Sequence, residues 1–303
     1  MKKPTYLLLA TALGFSSTEP SIGATVSLAP SKDTSLMEVV PNNNTGAMGN
    51  LVSGSIASGK RTRALIQFDT LNQIPADATI LSVSLRLSVL KSPPLPVAPG
   101  SSFGLHRILV DWKEGTKAVS NTGDRATDEE PTWSMRSFNV SDWEEQGGSQ
   151  TDTDFAAAAS GSAFLDAPGA YTFVSTPQMV ADVQSWVCDP SSNHGWAIIS
   201  GSEGTAATAR RLGSKETGGE QVPSLVVEYG PGNPEVRITS LEVQDNSVRL
   251  VWSGGQPPYQ VQQLAGLDDD WNPVRLNVGC ERTVQLPVDR AVAFFRVVSG
   301  GPQ

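Results

Sequence analysis

Histidine and cysteine are scarce in this chain of 303 residues: His106 and His194, Cys188 and Cys280 are the whole complement. Four scattered residues do not support a zinc centre, which draws three or four Cys and His ligands from short fixed spacings. They also leave little material for a hydrolase triad, in which a carboxylate holds the histidine base against a nucleophile. His106 falls inside an alternating segment and His194 in a turn between Asn193 and Gly195, so both are expected to be structural. Basic residues are few as well, 22 Lys and Arg against 31 Asp and Glu for a net charge of −9. That balance excludes nucleic acid and anionic membrane as general partners, since both reward a basic field. Long apolar runs are missing too. The longest, Tyr6 to Phe15, is about half of the roughly twenty residues that span a bilayer, so no membrane span is expected.

That run follows Lys2-Lys3 and leads into the small and polar Ser16 to Ala24, the pattern of a secretory signal. Cleavage is expected after Ala24, which removes two lysines and Glu19 and leaves a formal charge of −10. The expected location is secreted or extracellular. An oxidising compartment permits a disulfide between Cys188 and Cys280, but the two lie far apart in the sequence and two separate, partly buried thiols are the expectation.

What the chain has in plenty is alternation. Ala64-Leu-Ile-Gln-Phe, Ile80-Leu-Ser-Val-Ser-Leu-Arg-Leu, Phe103-Gly-Leu-His-Arg-Ile-Leu-Val and Gly195-Trp-Ala-Ile-Ile all repeat with period two, and turn residues separate them. The spacing of Met179, Val180, Val183 and Trp186 instead predicts a short amphipathic helix over 177–186. Residues 118–168, rich in Asp, Thr, Ser and Gly, read as long loops around a short strand or two near Trp133 and Phe138. Gly230-Pro-Gly-Asn-Pro234 reads as a linker. The expected organisation is a signal at 1–24, a β-sandwich over 25–230, a linker at 231–235 and a smaller β-sandwich over 236–299, an all-β chain.

A set of motifs in residues 28–229 carries a family resemblance: Asp33-Thr34, Asn44, Gly46, Gly49-Asn50, Arg63 with Phe68-Asp69, Ile74-Pro75, Ala78-Thr79-Ile80 and Leu85-Arg86-Leu87. It continues through Asp111-Trp112, Glu114-Gly115, Trp133, Trp186, Asn193, Gly195, Ser214-Lys-Glu216 and Pro223 to Tyr229. In order and spacing these resemble the DNRLRE domain, also classed as a carbohydrate-binding module of family 96, a jelly-roll-like β-sandwich. The hexapeptide that names the family is absent, and Cys188-Asp-Pro-Ser-Ser replaces the usual glycine-containing approach to Asn193. Residues 236–299, with Trp252, Pro257-Pro258-Tyr259, Trp271-Asn-Pro-Val274 and Phe294-Phe-Arg-Val297, look like a fibronectin type III module.

The resemblance implies a non-catalytic protein that binds a polysaccharide. Trp112, Trp186 and Trp196 fall on apolar faces and read as core, whereas Trp133, Trp143 and Tyr171 sit in or beside the polar loops, where an exposed ring suits a sugar. Arg61 and Arg63, with Arg210 and Arg211, form basic spots on an acidic chain, and guanidinium groups pair well with the carboxylates of uronic acids. The ligand-binding candidates are therefore Arg61, Arg63, Trp133, Tyr171, Arg210 and Arg211. No cofactor is required; a structural calcium is admitted by Asp124, Asp128, Glu129 and Glu130, or by Asp268-Asp-Asp270, though neither set has the spacing of a dedicated calcium loop. Asp111 with Glu114, which could mimic a glycosidase pair, reads as a turn. A second reading stands beside the first: a structural building block of a surface or matrix assembly that binds cell-surface or matrix protein and no sugar.

Overall fold

A computed structural model describes residues 7–10, 23–70, 73–93, 100–119, 121–232, 235–244, 247–255, 259–264, 270–275, 282–287 and 292–299. The described residues are all-β apart from one α-helix and two short 3-10 turns, and the chain divides into two compact units. One comprises residues 24–74 and 80–229; the other comprises 1–23, 75–79 and 230–303.

The first unit is a sandwich of antiparallel strands. Its strands are β1 (Ala24–Leu28), β2 (Pro30–Met37), β3 (Leu51–Ser55), β4 (Arg61–Phe68), β5 (Thr79–Lys91) and β6 (Ser101–Arg107). They continue as β7 (Gly161–Leu165), β8 (Gly169–Phe173), β9 (Trp196–Ser200), β10 (Arg210–Leu212) and β11 (Ser224–Gly230). One layer runs β7-β6-β9-β4, with β2 on the far side of β4; the other holds β10, β5, β11 and β1, with β8 also on β5. The alternation read from the sequence is the physical cause: Val83, Leu85, Leu87 and Val89 of β5 are all buried, and the residues between them are not. Strand β3 is buried at all five positions and joins the layers, pairing Leu51–Ser53 with β10 and Gly54–Ser55 with β4. Glycine is required at the crossing: Gly54 has φ 116°, and a Cβ there would lie 2.7 Å from the Cα of Ala209.

The predicted helix forms as α1 (Pro177–Cys188), two residues longer than its apolar spacing suggested. Thr176 caps it by accepting from the Met179 N–H, and Pro177 sits in the first turn, where a missing N–H costs nothing. Its inward face carries Met179, Val183, Trp186 and Val187 together with Asp182. That carboxylate is fully buried and accepts from Trp196 Nε1 at 2.8 Å, Gln178 Nε2 at 3.1 Å and the Ser160 hydroxyl, so its desolvation is compensated. Trp186 and Trp196 meet edge to face at 4.4 Å. Cys188, at the end of α1, is disulfide-bonded, which corrects the reading of two separate thiols; Cys280 lies outside the described residues.

The second unit builds a three-stranded sheet from β12 (Arg237–Gln244), β13 (Ser247–Ser253) and β16 (Thr283–Pro287). A four-stranded sheet contains β14 (Tyr259–Leu264), β15 (Asn272–Arg275) and β17 (Val292–Ser299). Val248, Leu250, Trp252, Tyr259, Val261, Val284, Leu286 and Phe295 make its core. Leu7–Ala10, inside the run read as a signal, is a strand parallel to β17; the rest of residues 1–22 lies outside the described residues, as do Pro257-Pro258, Asp268-Asp269 and part of the expected linker. Among the described residues no helix is long and apolar enough to cross a membrane.

Candidate functional site

Of the guanidinium and indole groups expected to face a ligand, Arg63, Arg210, Trp133 and Trp143 are turned inward. Trp133 and Trp143 are 2% and 5% exposed and belong to one core cluster with Leu36, Trp112 and Phe155. The physical reason is that residues 121–160 fold back on the sandwich instead of standing off it: Gly147 N–H bonds to Trp133 O at 2.7 Å and Trp143 Nε1 to Thr132 O at 2.9 Å. Arg63, 6% exposed, reaches into this layer. It grips Glu203 with two charge-assisted bonds of 3.0 and 2.9 Å and donates to Gly147 O, Gly148 O and Ser149 Oγ at 3.1, 3.2 and 3.1 Å. Arg61 lies 5.0 Å from the Trp133 ring centroid and pairs with Glu38 at 3.2 Å. The structure thus does bring Arg61, Arg63 and Trp133 together, with Arg63 and Trp133 buried in a clamp on the loop and Arg61 part-exposed beside them.

The other candidates lie apart from that clamp. Arg210 is fully buried and donates to the carbonyls of Asp166 and Thr208, both at 2.9 Å. Tyr171, half-buried, accepts from Asp166 N–H and donates to Ala167 O, closing the β7–β8 turn. Arg211 reaches Asn121 Oδ1 at 2.6 Å. Of the calcium candidates, Glu130 is buried and accepts from the Thr116 N–H and hydroxyl and from Thr127 N–H. Asp128 accepts from Asn139 and Asp124 from Arg125 N–H. Among the described residues no three His, Cys, Asp or Glu side chains converge as a metal-ligand group.

One spelling in the sequence resembles a nucleophile elbow: Gly100-Ser-Ser-Phe-Gly104. Ser102, however, is exposed within strand β6 and not at a strand-to-helix turn, the geometry an elbow requires. His106 Nδ1 lies 3.0 Å from Ala156 O and His194 Nδ1 lies 3.7 Å from Asp111 Oδ1. Burial is the main influence on His194 and lowers its pKa, so the ring is neutral at pH 7. Among the described residues no hydrogen bond joins either histidine to a hydroxyl or thiol side chain.

Beside His194 the fold leaves a cavity of about 300 Å3, lined by Ser31, Lys32, Gln67, Asp69, Thr70, Pro190 and Asn193. Three pieces of chain build it. Ser31 and Lys32 lie near the start of β2, Gln67 stands near the end of β4 and is followed by Asp69 and Thr70, and Pro190 starts a 3-10 turn, capped by Asp189, that Asn193 ends. Asn193 is locked, its amide donating to Phe68 O at 2.8 Å and its oxygen accepting from Gly195 N–H. Gln67 donates to Asn193 O at 2.7 Å, which fixes the amide and leaves its Oε1 buried without a partner. Lys32 donates to Trp112 O, lies 3.4 Å from Asp111 Oδ1 and sits over the Trp112 ring. Burial outweighs the Asp111 attraction and lowers the Lys32 pKa.

Behind Lys32, Asp33 is 1% exposed. It accepts from Lys215 N–H at 2.7 Å, and its own N–H donates to Glu114, which bonds Lys215 Nζ at 2.6 Å. Burial raises the Asp33 pKa to about 7 in spite of the Lys215 N–H bond, and the Glu216 and Glu114 charges add to the rise. Asp69 and Asn193 stand among the motif residues of the sequence and Gln67 inside the segment that joins Arg63 to Asp69; Lys32 and Glu203 lie in no motif, and only the pairing of distant segments gives these three a role.

No family model matches the chain, and no curated protein matches it. Among solved structures it is similar to a β-1,2-glucanase from Parabacteroides distasonis, at 11% identity and a TM-score of 0.17, over 91% of this chain and 34% of that one. The chain spans about a third of the glucanase's length, and a likeness this slight carries no argument about chemistry.

Proposed function

We propose that this is an exported, non-catalytic carbohydrate-binding protein whose first sandwich takes part of a glycan into the cavity between β2, β4 and the turn before β9. One observation carries the reading: Gln67 lines a cavity, its amide is held on Asn193 O, and its Oε1 is a buried acceptor without a partner. Buried polar atoms are almost always paired, so a cavity-lining side chain that keeps an unpaired acceptor is a candidate to take a donor from a ligand. Lys32, Asp69 and Ser31 add donors and acceptors around it. The family resemblance of residues 28–229 agrees with this reading.

The test is affinity electrophoresis and calorimetry of the full chain against alginate, pectin, xylan and cellulose, with and without calcium. Saturable retardation by one polymer that weakens in Gln67→Leu and persists in Arg211→Ala is expected; a folded protein that no polymer retards refutes the reading. The inward clamp of Arg63, Trp133 and Trp143 favours the second reading, a structural block of an extracellular assembly. In that case all polymers fail, and the protein instead associates with cell-surface or matrix protein.

A further inference from the structure

The four-stranded sheet of the second unit carries a row of polar side chains on its outer face. Tyr259 and Val261 of β14 and Phe295 of β17 belong to the core, so alternation turns Gln260, Gln262 and Arg296 to the opposite face. There they join end to end. Gln262 stands opposite Arg296 in the register, and Arg296 Nε donates to Gln262 Oε1 at 2.7 Å. Gln262 Nε2 in turn donates to Gln260 Oε1 at 2.6 Å. A guanidinium cannot accept, so the orientation of both amides is forced and both amide oxygens are engaged. Trp271, just before β15, holds its ring centroid 4.5 Å from Arg296 Cζ. What is left unengaged on this row consists of donors alone: Arg296 Nη1 and Nη2, Gln260 Nε2 and Trp271 Nε1. Their residues are half-buried, yet none of these nitrogens is sealed from solvent, and none has a hydrogen-bond partner among the described residues.

Charge agrees with the donor pattern. Strands β14, β15 and β17 carry Arg275 and Arg296 and no carboxylate, on a chain of net charge −9. Among the described residues of this unit the ion pairs are Arg237–Glu235 and Arg249–Glu242, which involve the other sheet; Asp270, next to Trp271, is exposed and pairs with no arginine. A ligand for the row must therefore bring acceptors and negative charge. A carboxylate does both, and its two oxygens match the guanidinium fork. On a hexuronate it is fixed to a rigid ring that also offers hydroxyl and ring oxygens to the neighbouring N–H groups. An aspartate or glutamate side chain of a peptide would have to be ordered first, at a cost in rotamer freedom.

We infer that the row of Trp271, Arg296, Gln262 and Gln260 on the second unit binds the carboxylate of a uronic acid residue in an acidic glycan. This site goes beyond the cavity of the first unit and shares no residue with it, so either can fail while the other stands. It supplies the guanidinium that Arg63 and Arg210 cannot, the first being closed by Glu203 and the second by backbone carbonyls.

The Trp271 indole N–H and Arg296 Nε–H resonances in the full chain provide the readout. The probes are sodium galacturonate and glucuronate, the methyl glycosides of galactose and glucose as their neutral counterparts, and sodium poly-glutamate as a carboxylate on a peptide, with ionic strength held constant by sodium chloride. The sugars run up to about 50 mM, a range suited to the millimolar affinity of a single ring. The expected result is saturable movement of both resonances with at least one uronate, and binding of the matching neutral glycoside at least about tenfold weaker, the effect of losing a charge-assisted bond. Arg296→Gln removes the cation, and Gln260→Glu sets a carboxylate at the end of the row. Each should weaken the uronate at least about tenfold at the Trp271 resonance, while the rest of the spectrum stays that of the folded wild type. A neutral glycoside that binds as tightly as its uronate overturns the inference, as does uronate binding that survives both variants. Poly-glutamate that moves the two resonances where the uronates do not makes the partner an acidic protein and overturns the sugar assignment. Silence toward every probe overturns this site and leaves the cavity of the first unit to the polymer test with Gln67→Leu.

Discussion

Asp33→Asn should make this protein more stable at pH 8 and leave it nearly unchanged at pH 4. The wild-type carboxyl is 1% exposed and its pKa is raised to about 7 from an ordinary 3.8, chiefly by burial. Because the folded-state value is the higher one, the folded protein favours the protonated form. Its contribution to stability is full below pH 3.8, falls as pH rises through the interval up to about 7, and is gone above that. The gap corresponds to a ceiling of ~4 kcal/mol at pH 8, and relaxation around the charge reduces a measured value to ~2–4 kcal/mol. Asparagine cannot ionise, and its amide oxygen can still accept from Lys215 N–H, which Asp33 Oδ2 now does at 2.7 Å. Thermal unfolding of both proteins in one buffer series from pH 4 to 8 isolates the effect, because every other titrating group is shared. The variant's advantage should grow with pH to ~5–10 °C, at the ~2–4 °C per kcal/mol of a domain this size. An advantage that does not change with pH, or that shrinks as pH rises, refutes the argument.

Glu38 should behave in the opposite sense. Burial raises its pKa, but hydrogen bonds from the Arg61 N–H and from the Lys60 and Arg61 side chains overcome this and hold it at about 2, so its contribution is present above about 4.5 and lost as pH falls toward 2. Glu38→Gln should cost ~1 kcal/mol in urea unfolding at pH 7 and almost nothing at pH 2.5. Glu203→Ala leaves the buried Arg63 without its carboxylate and should cost ~3–5 kcal/mol, with faster amide hydrogen exchange at residues 147–149, whose carbonyls and hydroxyl hold the same guanidinium. Gly195→Ala should lower stability by more than ~2 kcal/mol in the same assay, because φ is 75° and the new Cβ would stand 2.0 Å from Ile66 O.

What could be read directly from the sequence was local. Period-two alternation produced β5 and β6, because a half-buried strand imposes that spacing whatever its neighbours are, whereas β4 and β9 form where the sequence placed strands but are buried on both faces. The 3.6-residue spacing after Pro177 produced α1, and the apolar settings of Trp112, Trp186 and Trp196 placed them in the core, where they are. Polar surroundings misled for Trp133 and Trp143: Asp, Ser and Gly around a ring suggest solvent, yet the loop that carries them folds onto the sheet and covers them. No local pattern encodes that contact. The direction taken by Arg63 depends on Gly147 to Ser149 and on Glu203, 84 to 140 residues away along the chain. The cavity likewise exists only where residues 31–32, 67–70 and 190–193 meet, and Gln67 becomes an orphan acceptor only because Asn193 O has claimed its amide hydrogen. Sequence alone determined the all-β class and most of the strands, since side-chain alternation is a short-range consequence of the pleat. Tertiary structure decided which charged and aromatic groups face a ligand, since burial and pairing are set by segments that the chain brings together only on folding.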